Sequence, residues 1–153
     1  MRILIDGDAC PVVDSIVRIT AETGIFVYLF RTYSHFTVHD FPSHVEVKYI
    51  DGGRDAVDFM LLQHAKANDI VVTQDYGLAS LVLEKVKHVL HHNGHIYTSE
   101  NIDRLLAQRY YHQQARRKTK RHHKGPPAFD QKQRLDFETS FRHCIHSIAV
   151  HVS

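Results

Sequence analysis

Met1-Arg2-Ile3-Leu4-Ile5-Asp6-Gly7-Asp8-Ala9-Cys10 is the stretch on which the fold turns. Ile3, Leu4 and Ile5 form an apolar run without helical spacing, and Pro11 follows closely. Such a run reads as a strand buried on both faces. Two carboxylates, Asp6 and Asp8, stand at its carboxyl end with Gly7 between them. In open parallel sheets that end is where ligands bind. If the backbone stays extended, the two side chains point to one side, since strand side chains repeat every two residues. Like charges that close repel, and a bound divalent cation relieves the repulsion. The structural alternative has Asp8 capping the next helix while Asp6 accepts from backbone amides.

Working outward, strands and helices alternate. Residues 11–23 read as a helix with Pro11 in its first turn, an apolar face of Val12, Val13, Ile16, Val17 and Ile19, and Gly24 as its stop. Residues 25–30 form a second buried strand, and a polar loop is expected from Arg31 to His44. Residues 45–50 make a third, weaker strand. After the Asp51-Gly52-Gly53 turn comes a helix over 54–68 with Val57, Met60, Leu61 and Ala65 inward. Ile70 to Thr73 is a strand, Tyr76 to Glu84 a helix, Val86 to Leu90 a strand, and Ile96-Tyr97 a last short strand after the Asn93-Gly94 turn. Thr98 or Ser99 caps a helix over about 100–115. Gln131 to about Cys144 suits a final helix with Leu135, Phe137, Phe141 and Ile145 roughly in register, while the tail from Ile145 to Ser153 has no clear assignment. The alternation predicts a three-layer α/β fold with a mostly parallel central sheet and helices on both faces. It divides into a body, 1–115, and a segment, 116–153, that is either part of the same domain or an appendage.

Composition narrows the class. With 43% hydrophobic and 24% charged residues, 153 residues suffice for one domain with a real core. No stretch approaches the ~20 apolar residues of a membrane span, so no membrane partner is expected. The chain runs straight into a strand without a signal-peptide pattern, and Cys10 and Cys144 suggest neither a disulfide framework nor a zinc ribbon. These features point to a cytoplasmic protein. No Gly-x-Gly-x-x-Gly follows the first strand and no P-loop is present, so a nucleotide cofactor is not supported. A net charge of +2 hides an asymmetry: Arg104 to Phe129 contains no acidic residue but includes Arg109, Arg116, Arg117, Lys118, Lys120, Arg121 and Lys124. An acidic body with a basic C-terminal segment suggests a polyanionic partner.

The carboxylates recur. Asp55 and Asp58 lie three apart on one helix face. Asp75 follows the strand 70–73, and joins Asp6 and Asp8 at one sheet edge if that strand neighbours the first. Each has a structural alternative. Asp55 and Asp58 suit a helix N-terminus, where the dipole favours negative charge by ~0.3–1 kcal/mol, and Asp75 suits an N-cap. Converging together, they would need counter-charge. Oxygen-rich sites of this kind favour Mg²⁺ or Mn²⁺ over zinc. Such metals support phosphodiester cleavage, which fits a polyanionic substrate and a basic segment making phosphate contacts. Tyr110 and Tyr111, just before that segment, offer stacking; Tyr33, His35 and Phe36 offer it from the 31–44 loop.

Asp6-Gly7-Asp8-Ala9-Cys10-Pro11 resembles the start of the bacterial YaiI/YqxD family. The resemblance continues at Gly53-Arg54-Asp55-Ala56-Val57-Asp58, at Val72-Thr73-Gln74-Asp75-Tyr76-Gly77-Leu78-Ala79, at Asn93-Gly94 leading to Tyr97-Thr98, and at Gly125-Pro126 with Phe129. That family is similar to PIN-like domains, whose metal-dependent ribonucleases hold Mg²⁺ or Mn²⁺ with acidic residues at strand ends and on a helix. The resemblance implies a PIN-like nuclease acting on RNA more than DNA. Asp6, Asp58 and Asp75 would be direct ligands, with Asp8 and Asp55 acting through water or as further ligands. Arg116, Arg117, Lys118, Lys120, Arg121 and Lys124 would hold the phosphate backbone. The alternative is a non-catalytic nucleic-acid-binding module with a residual acidic metal site.

Overall fold

The structure, a computed structural model, describes residues 1–33, 40–119 and 128–152. Six strands form one sheet: β1 (Arg2–Asp6), β2 (Phe26–Thr32), β3 (Val45–Ile50), β4 (Ile70–Val72), β5 (His88–Leu90) and β6 (Ile96–Tyr97). Their order is β3-β2-β1-β4-β5-β6. All neighbours are parallel except the β5–β6 hairpin. The helices are α1 (Val13–Ala21), α2 (Arg54–His64), α3 (Tyr76–Val82), α4 (Ile102–Thr119) and α5 (Gln131–Val152). The expected three-layer α/β architecture is present.

Period-two alternation splits the sheet's side chains between two cores. Ile3 and Ile5 of β1, Val27 and Leu29 of β2, and Ile70 and Val72 of β4 face one side. There they meet Val13, Ile16 and Ile19 of α1 and Phe137, Phe141, Cys144 and Ile145 of α5. Leu4, Phe30, Val71 and Val89 face the other side, against Val57 and Leu61 of α2, Leu78 and Val82 of α3, and Ile102 of α4. Because the central strands are buried on both faces, their apolar runs are continuous rather than alternating.

Several boundaries differ from the sequence reading. Arg31 and Thr32 belong to β2 and pair with Tyr49 and Ile50 of β3, so the expected polar loop starts later and β3 is fully paired. Helix α2 ends at His64, where Ala65 turns to extended backbone. Val86 and Lys87 precede β5 rather than opening it. Helix α4 passes Ala115 and continues to Thr119. Helix α5 carries the unassigned tail to Val152. Leu135 is not in register with the buried phenylalanines. It precedes Phe137 by two positions, about 200° round the helix, and is 53% exposed. A capping box starts α5: Asp130 Oδ1 accepts from the Gln133 amide at 2.8 Å, and Gln133 Oε1 accepts from the Asp130 amide at 3.2 Å.

At the amino end of the sheet, Arg2 and Asp69 clamp β1 to the start of β4. The guanidinium donates from Nε at 3.1 Å and from Nη2 at 2.6 Å, one bond to each Asp69 oxygen. Nη2 also reaches the His64 carbonyl at 2.7 Å. The hydrogen bonds and charge of Asp69 hold the Arg2 pKa above its ordinary value, against the opposing effect of burial. This clamp ties the amino ends of β1 and β4 together.

Candidate acidic site and its neighbouring cleft

The strand order reverses direction between β1 and β4, and in open α/β sheets ligands bind in the crevice at that switch, outside the carboxyl ends of the strands. Asp6 is the last residue of β1 and is 6% exposed. Its Oδ2 accepts from the Thr73 hydroxyl at 2.9 Å. The same hydroxyl accepts from the Asp75 amide at 3.0 Å. One buried hydroxyl therefore links the end of β1 to the residue that opens α3. Tyr97 holds Thr73 from β6, its hydroxyl donating to the Thr73 carbonyl at 3.2 Å.

Asp75 is the N-cap of α3, and its Oδ1 accepts from the amides of Gly77 at 2.8 Å and Leu78 at 3.2 Å. Arg109 of α4 brings its guanidinium to 3.5 Å from that oxygen. Asp8 leans the other way. Past the end of β1 the extended repeat is lost, and Asp8 Oδ1 accepts from the Thr32 amide at the end of β2, at 3.2 Å. Asp6 and Asp8 thus reach toward strands on opposite flanks of β1. Gly7 between them is required for space: its amide donates to the Phe30 carbonyl at 2.8 Å, and an added Cβ would lie 2.8 Å from that oxygen and 2.5 Å from Leu29 Cδ1. Ala9 then turns the chain with a left-handed φ of 63°, which few residues other than glycine adopt.

On α2 the two carboxylates part. Asp55 is exposed, whereas Asp58 is half-buried with Oδ1 fully enclosed, beside Val57 and Leu61 on the core side of the helix. Among the described residues no three Asp, Glu, His or Cys side chains surround one point as a metal cluster would. Of the basic residues, Arg116, Arg117 and Lys118 continue α4 in backbone terms, while Lys120, Arg121 and Lys124 lie outside the described residues, as do His35 and Phe36. Tyr110 and Tyr111 are exposed on α4. Tyr33 is exposed and stacks on Tyr49, with centroids 5.7 Å apart.

Burial pushes the Cys10 thiol up to about 11; the nearby Asp6 carboxylate adds to this, and the Val12 backbone and Arg31 oppose it. Arg31 Nε is fully buried, and no described residue accepts a hydrogen bond from it.

Sequence reasoning did not single out the cleft beside Asp75. It occupies about 420 Å³ and is lined by the rings of Tyr76, His91, His92 and Phe129 and the carboxamides of Gln74, Asn93 and Gln133. A smaller cleft of about 190 Å³ adjoins it, sharing Tyr76, His91 and Asn93. Burial, then the charge of His92, pulls the His91 pKa down to about 4, with the Asn93 hydrogen bond opposing. Burial raises the Tyr97 phenol well above its usual range, with Tyr76 and the Asp75 carboxylate adding to it. The only sequence signal for this cleft was the run His91-His92-Asn93-Gly94 directly after a strand.

A family model described as uncharacterised, that of the YaiI/YqxD family, matches residues 4–147. The chain belongs to the YaiI/YqxD family. It is similar to a UPF0178 protein of Staphylococcus haemolyticus, 53% identical over 147 residues that cover 96% of this chain and 99% of that protein. UPF0178 proteins of Staphylococcus epidermidis and Staphylococcus aureus are 53% and 54% identical over the same length, covering 98% and 96% of those proteins. No solved structure gives a significant match. The matched span runs from most of β1 to most of α5, so the acidic site and the cleft both lie within the family's region.

Proposed function

We propose that this family member is a metal-dependent nuclease that hydrolyses phosphodiester bonds, RNA in preference to DNA. The observation that carries the proposal is the Thr73 hydroxyl, which ties buried Asp6 to Asp75 across the switch point. Asp6, Asp58 and Asp75 would hold Mg²⁺ or Mn²⁺, with Asp8 and Asp55 acting through water. The donor set fits a hard cation, being oxygen only. Mg²⁺ typically completes its shell with water and substrate phosphate. Bound there, the cation would supply Lewis-acid polarisation of the phosphate and activation of a water.

The protein's own residues prepare the site. Thr73 holds Asp6 in one orientation, so one carboxylate oxygen is already engaged when a substrate arrives. The N-cap bonds fix Asp75, and Arg109 balances its charge until a phosphate competes for the guanidinium. Arg116, Arg117 and Lys118 continue the same helix and supply backbone-phosphate attraction without sequence preference.

One observation favours a second reading, a non-catalytic nucleic-acid-binding module: Asp8 and Asp75 each accept from backbone amides, as purely structural carboxylates do. Cleavage of labelled single-stranded RNA in Mn²⁺ separates the two. The nuclease reading expects turnover by the wild type and at least a ~100-fold loss in Asp6→Asn, since several kcal/mol of charge stabilisation go with the ligand. Full activity in Asp6→Asn refutes it. RNA binding without turnover, lost when Arg116, Arg117 and Lys118 are neutralised, establishes the second reading.

A further inference from the structure

The carboxylates leave the cleft beside them unexplained. Gln74 and Tyr76, the chain neighbours of Asp75, form part of its wall, so the cleft begins where the acidic site ends. Its volume of about 420 Å³ falls in the range of small-ligand pockets, ~300–1,000 Å³. The walls are rings held in fixed positions. Phe129 is covered on one side by the Arg134 guanidinium, 5.2 Å from its centroid, and meets His92 edge-on at 5.6 Å and 81°. Arg134 is itself anchored to the Pro11 carbonyl and the Ser15 hydroxyl, both at 3.1 Å. Tyr76 packs edge-on against Tyr97 at 5.8 Å. His91 and His92 stand 4.2 Å apart.

The polar groups are uncharged. Asn93 donates its backbone N–H to His91 Nδ1 at 3.1 Å, so in the neutral ring the proton sits on Nε2 and that edge is a donor. Burial keeps both imidazoles neutral at pH 7. The carboxamides of Gln74, Asn93 and Gln133 each carry donors and an acceptor. Gly94 locks the turn that presents His91 to Asn93 against α5: its φ is 93°, and an added Cβ would lie 2.6 Å from the Asp136 carbonyl. Aromatic walls, hydrogen-bonding amides and, among the described lining residues, no charge suit a flat, uncharged heteroaromatic ring with polar edges.

We infer that this cleft receives a nucleobase, stacked among Tyr76, His92 and Phe129 and read at its edge by Gln74, Asn93 and Gln133. The direction of the nucleotide, with its phosphate toward Asp75, rests on the proposed function; capture of the base does not. The base comes from a free mononucleotide or from an RNA strand.

Calorimetric titration of the wild-type protein in EDTA with each of the four ribonucleoside 5′-monophosphates, and with a hexaribonucleotide of the best base, tests the inference. Saturable binding is expected for at least one mononucleotide, with a Kd of about 1 mM or tighter. Tyr76→Phe keeps the ring and retains that affinity. Tyr76→Leu and Phe129→Leu lose roughly ten-fold, the scale of one base–aromatic stack. In the wild type, saturation shifts the ring resonances of His91 and His92, a readout that needs no variant. Tighter binding of the hexamer assigns the base to a strand, and equal affinities assign it to the free nucleotide; both support the cleft. Absence of saturation by all four, unmoved histidine resonances, or unchanged affinity in correctly folded Leu variants overturns it. RNA cleavage with a cleft that fails these tests leaves the nuclease standing alone. Base binding without cleavage leaves the cleft and removes the nuclease.

Discussion

Replacing Thr73 by valine tests whether its hydroxyl is the pin of the acidic site. Thr73 is 1% exposed, and the exchange of hydroxyl for methyl leaves almost no cavity. Two hydrogen bonds disappear, one to the Asp6 carboxylate and one from the Asp75 amide. A hydrogen bond to a charged group contributes ~1.5–3 kcal/mol, and an orphaned amide costs ~1 kcal/mol where water has partial access, as at half-buried Asp75. The expected loss is about 2.5–4 kcal/mol, or a fall in Tm of about 5–16 °C for a chain of this size. Thr73→Ser keeps both bonds and loses one buried methyl, about 1 kcal/mol. Urea unfolding followed by circular dichroism should therefore rank the proteins wild type, Ser, Val, with unchanged m-values. Packing alone gives the opposite order for the two variants. A valine variant at least as stable as the serine variant refutes the assignment.

The other expectations concern the rest of the frame. Arg2→Leu strands Asp69, 3% exposed, without its cation; breaking a buried pair costs ~3–5 kcal/mol, and the partial exposure of Arg2 lowers this to about 2–4 kcal/mol, measurable as a drop in urea midpoint. Folding holds the His91 pKa near 4 against an ordinary value of 6.5. The unfolded chain thus binds more protons between these values, and stability is complete above pH 6.5 and falls as pH drops towards 4. His91→Gln should flatten that fall by about 2 kcal/mol, after allowance for the ring's partial exposure; equal pH slopes for both proteins contradict it. Burial raises Cys10 and Cys144 to about 11, so at pH 8 about one thiol in a thousand is ionised and alkylation by iodoacetamide should be slow until the protein unfolds. Rapid labelling of either cysteine in the folded state runs against this.

The central strand and its neighbours were legible because burial on both faces demands continuous apolar runs, as in Ile3-Leu4-Ile5 and Ile70-Val71-Val72. Asp6 and Asp75 were legible as strand-end carboxylates, and the pairing of β1 with β4 satisfies the condition set for bringing them to one edge. What escaped depends on partners distant in the chain. Thr73 looks like an ordinary strand residue until β1 lies beside it. Arg31 and Thr32 are polar, yet they extend β2 because β3 pairs with them. The polar–apolar mixture after Ile145 obscured the end of α5, and Leu135 has the right residue type at the wrong angle. The separation of Asp58 from Asp55 follows from how α2 rolls on the sheet, which spacing alone leaves open. The cleft draws on β4, β5 and the start of α5, and no local pattern joins Tyr76 to Phe129.

The central claim is that Asp6 and Asp75 serve one cation. Calorimetric titration with Mn²⁺, in the presence of a short RNA, tests it most directly for the wild type, Asp6→Asn and Asp75→Asn. One saturable site is expected in the wild type, and its loss in both variants. A wild type that takes up no Mn²⁺ even with RNA present, or variants that bind it as the wild type does, would refute a cation shared by Asp6 and Asp75.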